Sequence, residues 1–387
     1  MADDTSLTSP VRSVPGDTNR PPQDGIALCL SGGGYRAMLF HLGALVRLNE
    51  LAYLAKLARI SSVSGGSITA GVLGLKWNRL AFDGSGVAQR LREEVIDPIR
   101  AMAGTTIDVR DIVLAFLTPG TVAEKVAASY QQHLFGPATL QDLPDSPRFV
   151  INATSVQSGV LWRFSKPFMA DWRVGMVKNP KVLLATAVGA SSAFPPVLSP
   201  VRLDLKPFTF EPGSGTDLQT APYTSEAVLT DGGVYDNLGL ETAFKNYKTV
   251  LVSDGGGHMA AMPDPHSDWP RHALRVNDLI DNQVRDLRKR QLIGAFANGD
   301  RAGTYWSVRS NLPKNYPAPG VLPCPFAATE HLAAVPTRLA ALEDEVQEQL
   351  INWGYAICDA AMRLYVDTNA PAPVAFPYPS VGVGTGV

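Results

Sequence analysis

Ile60-Ser61-Ser62-Val63-Ser64-Gly65-Gly66-Ser67 is the stretch best suited to covalent chemistry. An apolar run reaches a serine, two glycines follow, and a helix-compatible run begins at Ile68. A strand-to-helix turn of this kind pushes a serine hydroxyl out of a sheet edge into a cleft, as a nucleophile elbow does. The usual G-x-S-x-G pattern reads here Ser62-Val63-Ser64-Gly65-Gly66, with serine in the first glycine position. Ser31-Gly32-Gly33-Gly34-Tyr35-Arg36-Ala37 forms a second candidate, behind the apolar run Gly25–Leu30. Glycines between strand and helix leave backbone N–H groups aimed at one spot, a nest for an anion or for the oxyanion of acyl transfer. Gly32-x-Gly34-x-x-Ala37, with Glu50 downstream, also fits a dinucleotide fingerprint. A third stretch, Ala227-Val228-Leu229-Thr230-Asp231-Gly232-Gly233-Val234-Tyr235-Asp236-Asn237, delivers an aspartate into a glycine turn. An ordinary Asp-Gly β-turn has the same form.

Taken together and in this order, the three stretches resemble the patatin-like phospholipase family, whose pattern is a GGGxR loop, a serine elbow and a late Asp-Gly-Gly. The resemblance runs from about Gly25 to His258 and includes Ala190-Ser191-Ser192-Ala193-Phe194-Pro195-Pro196, similar to the family's A-S-x-A-x-P segment. It implies a three-layer α/β/α fold with a mostly parallel central sheet and helical insertions. It also implies a Ser–Asp dyad: Ser64 as nucleophile, Asp231 as base, and the Gly32, Gly33 and Gly34 backbone, with that of Gly65, as oxyanion hole. The substrate it implies is an acyl ester of a glycerophospholipid or lysophospholipid, met at a membrane surface, with no cofactor and no metal. Arg36, just past the glycines, is a candidate either to neutralise a substrate phosphate or to order the loop.

Two other readings stay open. Ser64, Asp231 and His258 occur in the Ser…Asp…His order of an α/β-hydrolase triad. Against it, such folds place several strands before the elbow, and here one clear strand precedes it. A non-catalytic nucleotide- or anion-binding module would use the glycine nest alone and gives Ser64 and Asp231 no task.

The elements that position these residues follow from periodicity. Residues 1–24 are polar and Pro-rich and read as a disordered leader without the apolar centre of a signal peptide. Residues 25–368 read as one hydrolase domain, and alternating strands and helices imply a parallel or mixed sheet covered on both faces. Helices are expected at Tyr35–Asn49, Leu51–Leu57 and Lys181–Ala190, and strands at Phe149–Val156, Val160–Phe164 and Thr249–Ser253. Within 77–144 the pattern is helical, at Val87–Met102, Ile107–Phe116 and Val122–Leu134, and this insertion is either a lid or ordinary packing. Val276–Ile293 is amphipathic, with Arg285, Arg288, Lys289 and Arg290 on a face that is either solvated or turned to anionic headgroups. One or two helices close the domain within Pro336–Val366, and 369–387 reads as an irregular Pro/Gly-rich tail.

Composition sets the outer bounds. A formal net charge of -2 gives no global basic field for nucleic acid. Cys29, Cys324 and Cys358 are too scattered for a disulfide framework or metal spacing. No run approaches a membrane span, so a cytoplasmic protein, membrane-peripheral during catalysis, is expected. Tyr35, Phe40, Phe116 and Phe194 lie near the motifs and suit an apolar acyl group.

Overall fold

Residues 21–107, 121–257 and 259–385 are described by the structure, a computed structural model. Ten strands among them form one sheet: β1 (Gln23–Leu30), β2 (Leu57–Ser62), β3 (Arg148–Ser155), β4 (Leu161–Phe164), β5 (Phe168–Asp171), β6 (Gly175–Lys178), β7 (Val201–Asp204), β8 (Glu226–Asp231), β9 (Tyr247–Asp254) and β10 (Ala302–Ser307). Their order is β10-β9-β1-β2-β3-β4-β5-β6, with β8 antiparallel to β3 and β7 to β8. The five strands from β10 to β3 run parallel, and β4, β5 and β6 extend the sheet antiparallel.

β1 lies among the parallel strands because both of its faces are apolar. Leu28 and Leu30 enter the main core, whereas Ala27 and Cys29 enter a second cluster with Leu238, Leu240, Val250, Val252 and Leu292. Alternation with period two on a strand buried on both sides is what a three-layer α/β/α arrangement requires. The main-core face carries α1 (Gly34–Glu50), α2 (Gly65–Lys76), α3 (Thr121–Tyr130) and α4 (Leu184–Ser191). The C-terminal part of a long helix, α5 (Trp269–Ala297), packs on the second face through Leu292 and Phe296, and α6 (Asp344–Tyr365) packs on α1. Arg47 of α1 and Arg363 both bind Asp359, which is 1% exposed. Buried carboxylates are tolerated when paired in this way.

Several expectations shift. Leu51–Leu57 is not a helix: a single 3-10 turn covers Leu54–Lys56, and Leu57 already belongs to β2. β1 begins at Gln23, inside the expected leader, because Gln23 N–H donates to Asn246 O. Residues 1–20 lie outside the described residues. The Val87–Met102 run is broken into a π-helical turn, Arg92–Ile96, and a short helix, Asp97–Ala103; Leu91, Val95 and Ile99 are buried as their spacing predicts. Most of Ile107–Phe116 falls outside the described residues. The described helices of the insertion pack on the core through Val95, Ile99, Val126 and Tyr130. β5, β6, β7 and β10 were not anticipated, because four- to six-residue strands carry little periodic signal. The tail has no helix or strand among its described residues, yet it is docked: Tyr378 and Val383 are buried, and Asn352 Nδ2 donates to the carbonyls of Tyr378 and Gly382 at 2.7 Å. No described helix is long and apolar enough to cross a membrane.

Candidate active site

β2 ends at Ser62, and α2 starts at Gly65. Between them Ser64 adopts φ 51° and ψ −122°, which a residue with a Cβ holds only when its surroundings impose it. The surroundings are polar and buried. Ser64 N–H donates to Ser191 Oγ at 3.0 Å, and Ser191 Oγ donates to Asn152 O at 2.6 Å. Ser67 Oγ lies 2.9 Å from Ser191 Oγ and 3.0 Å from Ser62 Oγ. Asn152 Nδ2 donates to Ser62 O at 2.9 Å. The serine that replaces the first elbow glycine is thus a buried member of the network supporting the turn.

Asp231 ends β8, beside Ala153 of β3. Its loop is pinned by the segment after α4: Asp231 N–H donates to Ala193 O at 2.9 Å, and Gly232 N–H to Ser191 O at 3.2 Å. Thr154 Oγ1 donates to Asp231 O at 2.8 Å. Ser191 therefore holds the Ser64 turn through its hydroxyl and the Asp231 turn through its carbonyl. The A-S-x-A-x-P segment was visible in the sequence without a role, and this is the role the geometry gives it.

The Asp231 carboxyl is 2% exposed. Oδ1 accepts the Gly233 N–H at 2.6 Å. Burial raises its pKa to about 7, against the lowering effects of the Gly233 N–H and the Ser64 hydroxyl; Asp281 adds to the rise. Oδ2 is buried with no hydrogen-bond partner. Ser64 is near enough to lower the carboxyl's pKa, but no hydrogen bond joins its hydroxyl to Oδ2.

The glycine loop lies against both. A Cβ on Gly32 would sit 3.2 Å from Ser64 Cβ, and one on Gly65 only 2.2 Å from Gly34 O, so the elbow and the nest touch backbone to backbone. Gly33 has φ 144°, and a Cβ there would meet Gly255 O at 2.7 Å. Gly32 N–H is already bonded to Asn237 O at 3.0 Å, so Gly32 shapes the loop and is not a free donor. The N–H groups of Gly33, Gly34 and Gly65 have no acceptor among the described residues. Asn237 closes the third stretch of the sequence without a role there; its side-chain oxygen sits between Gly32 and Gly233, within 2.6 Å of where either Cβ would be.

Arg36 is 2% exposed. Its guanidinium donates to Gly255 O at 3.0 Å, to Thr337 Oγ1 at 2.9 Å and to Val335 O. Burial, helped by the nearby Arg285, lowers its pKa to about 10. Of its two candidate tasks, this geometry fits loop ordering; a substrate phosphate would have to displace protein acceptors. Tyr35 and Phe40 are core residues and do not line an acyl groove, whereas Phe194 is 55% exposed. Phe116 and His258 lie outside the described residues. No described histidine is hydrogen-bonded to Ser64 or Asp231; His41 is held between Ser253 and Ser31.

A family model described as patatin-like phospholipase matches residues 28–244, more than half of the 387-residue chain. No curated protein matches. Among solved structures the chain is similar to human GIVD cytosolic phospholipase A2, with 12% identity over 88% of this chain and 62% of that one, and a TM-score of 0.52. It is similar also to that human enzyme in complex with methyl gamma-linolenyl fluorophosphonate inhibitor and terbium chloride, with 17% identity, 87% and 58% coverage, and a TM-score of 0.50. The chain thus spans less than two thirds of the length of these neighbours, and at such identities the likeness is one of fold. By the family model and the α/β fold, the chain belongs to the patatin-like phospholipase family.

Proposed function

We propose that the chain is a serine lipid acyl hydrolase that cleaves carboxylic esters through an acyl-enzyme on Ser64. Asp231 takes the hydroxyl proton as Oγ attacks the ester carbonyl. The negative charge that develops on the carbonyl oxygen is met by the N–H groups of Gly33, Gly34 and Gly65. The proton then passes from Asp231 to the leaving alcohol, and a water repeats the sequence on the acyl-enzyme. The observation that carries this reading is a buried carboxyl with a pKa raised to about 7 and an unpartnered Oδ2, next to a serine on a strained elbow. A carboxylate of ordinary pKa is a weak base, and burial moves this one towards the range where a general base works best at neutral pH.

Family membership supports a lipid ester, of the phospholipase A or lysophospholipase kind, as the substrate class. The fluorophosphonate complex of the human neighbour concerns that enzyme; for this chain it supports only the choice of probe. We place turnover at a membrane surface on the cytoplasmic side, without metal or cofactor. We propose a single hydrolase unit over 25–368, with β1 reaching back to Gln23 and the tail docked on α6. Hydrolysis of p-nitrophenyl acyl esters by the parent and by a folded Ser64→Ala variant tests the proposal. Turnover by the parent and none by the variant is expected; equal turnover removes Ser64 from the mechanism, and none by either favours an anion-binding module.

A further inference from the structure

The helix α5 is turned opposite to what its composition suggests. Three of the four cations on its basic face, Arg285, Arg288 and Lys289, face the protein, whereas Arg290 is exposed. Lys289 Nζ lies 3.2 Å from Asp254, a fully buried carboxylate that also accepts the Tyr305 hydroxyl at 2.6 Å. Arg288 pairs with Glu241 at 3.1 Å and donates to Tyr235 O at 3.2 Å. Arg285 is buried and donates to Gly257 O at 3.2 Å. The opposite face carries Trp269, Val276, Ile280, Val284 and Leu287, which helical spacing places on one stripe. All five are exposed, Trp269 by 81%, Ile280 by 54% and Leu287 by 53%. The other residues on that stripe, Ala273, Gln283, Gln291 and Gly294, carry no charge, and the exposed Arg290 borders it.

Large apolar side chains aligned on an unpaired helix face mark an interaction surface. Its position says which. Tyr235, held by Arg288, follows the turn that binds Asp231, and Asp281 of the same helix is near enough to raise the Asp231 pKa. Two further exposed apolar residues flank that turn: Phe194, next to the Ala193 carbonyl that binds Asp231 N–H, and Val234, each just over half exposed. The exposed apolar residues thus come from three segments, two of them bordering the Asp231 turn, and form no single seam for a partner helix. We propose that α5, with Phe194 and Val234, seats the protein on an uncharged lipid surface by inserting apolar side chains, and that Arg285, Arg288 and Lys289 fix the helix instead of meeting headgroups. The proposal rests on the lipid reading of the site, and it predicts binding that needs neither anionic lipid nor low salt.

Trp269 is the only exposed member of the six tryptophans and reports directly. The full chain is titrated with phosphatidylcholine vesicles, with and without anionic lipid, at low and high salt, following tryptophan emission and co-sedimentation. A blue shift and binding to phosphatidylcholine alone, little changed by salt, are expected. The double variant Ile280→Asp/Leu287→Asp should lose at least about tenfold in partitioning, while its turnover of a soluble p-nitrophenyl ester stays at the parent's level. Binding that requires anionic lipid and vanishes in salt would overturn the proposal, as would unchanged partitioning of the double variant. A concentration-dependent dimer of the parent, abolished in that variant, would assign the stripe to a second copy and overturn it too. Vesicle binding by a parent that hydrolyses no ester would instead sink the hydrolase reading and leave the surface standing.

Discussion

Asp231 joins the chemistry to the stability of the fold. With its pKa raised to about 7 by burial, the carboxyl is protonated in mild acid; with Asp231 as the proposed base, kcat/KM should rise through about pH 7 and level off above it. A profile already flat from about pH 5 would show that another group takes the proton. Asp231→Asn keeps the shape but cannot accept a proton; its turnover should fall by about a thousandfold or more, the scale of disabling a catalytic member. The sign of the stability effect is opposite. Between an unfolded value of about 4 and about 7, the folded protein keeps a proton that the unfolded chain has released, so this group's contribution weakens as pH rises through that window. Asparagine has no such proton to lose. The variant's melting temperature should therefore exceed the parent's by more at pH 8 than at pH 4, as differential scanning fluorimetry at the two pH values would show. His258→Gln should leave most activity; a loss as large as that of Asp231→Asn would restore the triad.

Elements place these residues, and much of that placement was legible. A β1–loop–α1 unit, a β2–elbow–α2 unit and a strand ending in Asp-Gly-Gly each carry their own signal, because strand, turn and helix are encoded locally. The tasks of Arg36 and of the α5 cations were not legible, since their partners lie far away in sequence. Arg36 binds carbonyls and a hydroxyl from residues 255, 335 and 337. Lys289 and Arg288 find acids at the end of β9 and just after β8. Periodicity predicts that α5 is amphipathic but not which face a buried aspartate will claim. The same holds for Ser191, whose two bonds join turns 127 and 41 residues away. If Arg36 orders the loop, Arg36→Met should cost stability, by roughly 2–4 kcal/mol for orphaned buried acceptors, and lower kcat on neutral and phosphate-bearing esters alike. A defect confined to phospholipids, with normal melting, would return Arg36 to substrate binding.

At the scale of the molecule, the matched region 28–244 is not a complete sheet. β1 pairs with β9, and β9 with β10, both beyond it, while α6 supplies Leu350, Ile351, Trp353 and Ile357 to the main core. The tail belongs to this assembly despite its irregular backbone, since Tyr378 N–H donates to Asn352 Oδ1 at 2.9 Å and Arg47 donates to Pro371 O. Ending the chain at residue 368 should orphan these buried groups and lower the melting temperature, by several degrees at about 1–3 kcal/mol for each lost partner. An unchanged melt would make the tail a passenger. The central claim is that Ser64 is the nucleophile and Asp231 its base, and covalent labelling tests it most directly. The parent and Asp231→Asn are incubated with a fluorophosphonate across pH 5–9, and the modified peptide is identified by mass spectrometry. Labelling of the parent at Ser64, with a rate that rises through about pH 7 and is nearly lost in Asp231→Asn, is the predicted result; labelling elsewhere, or none on a folded and ester-active parent, would contradict it.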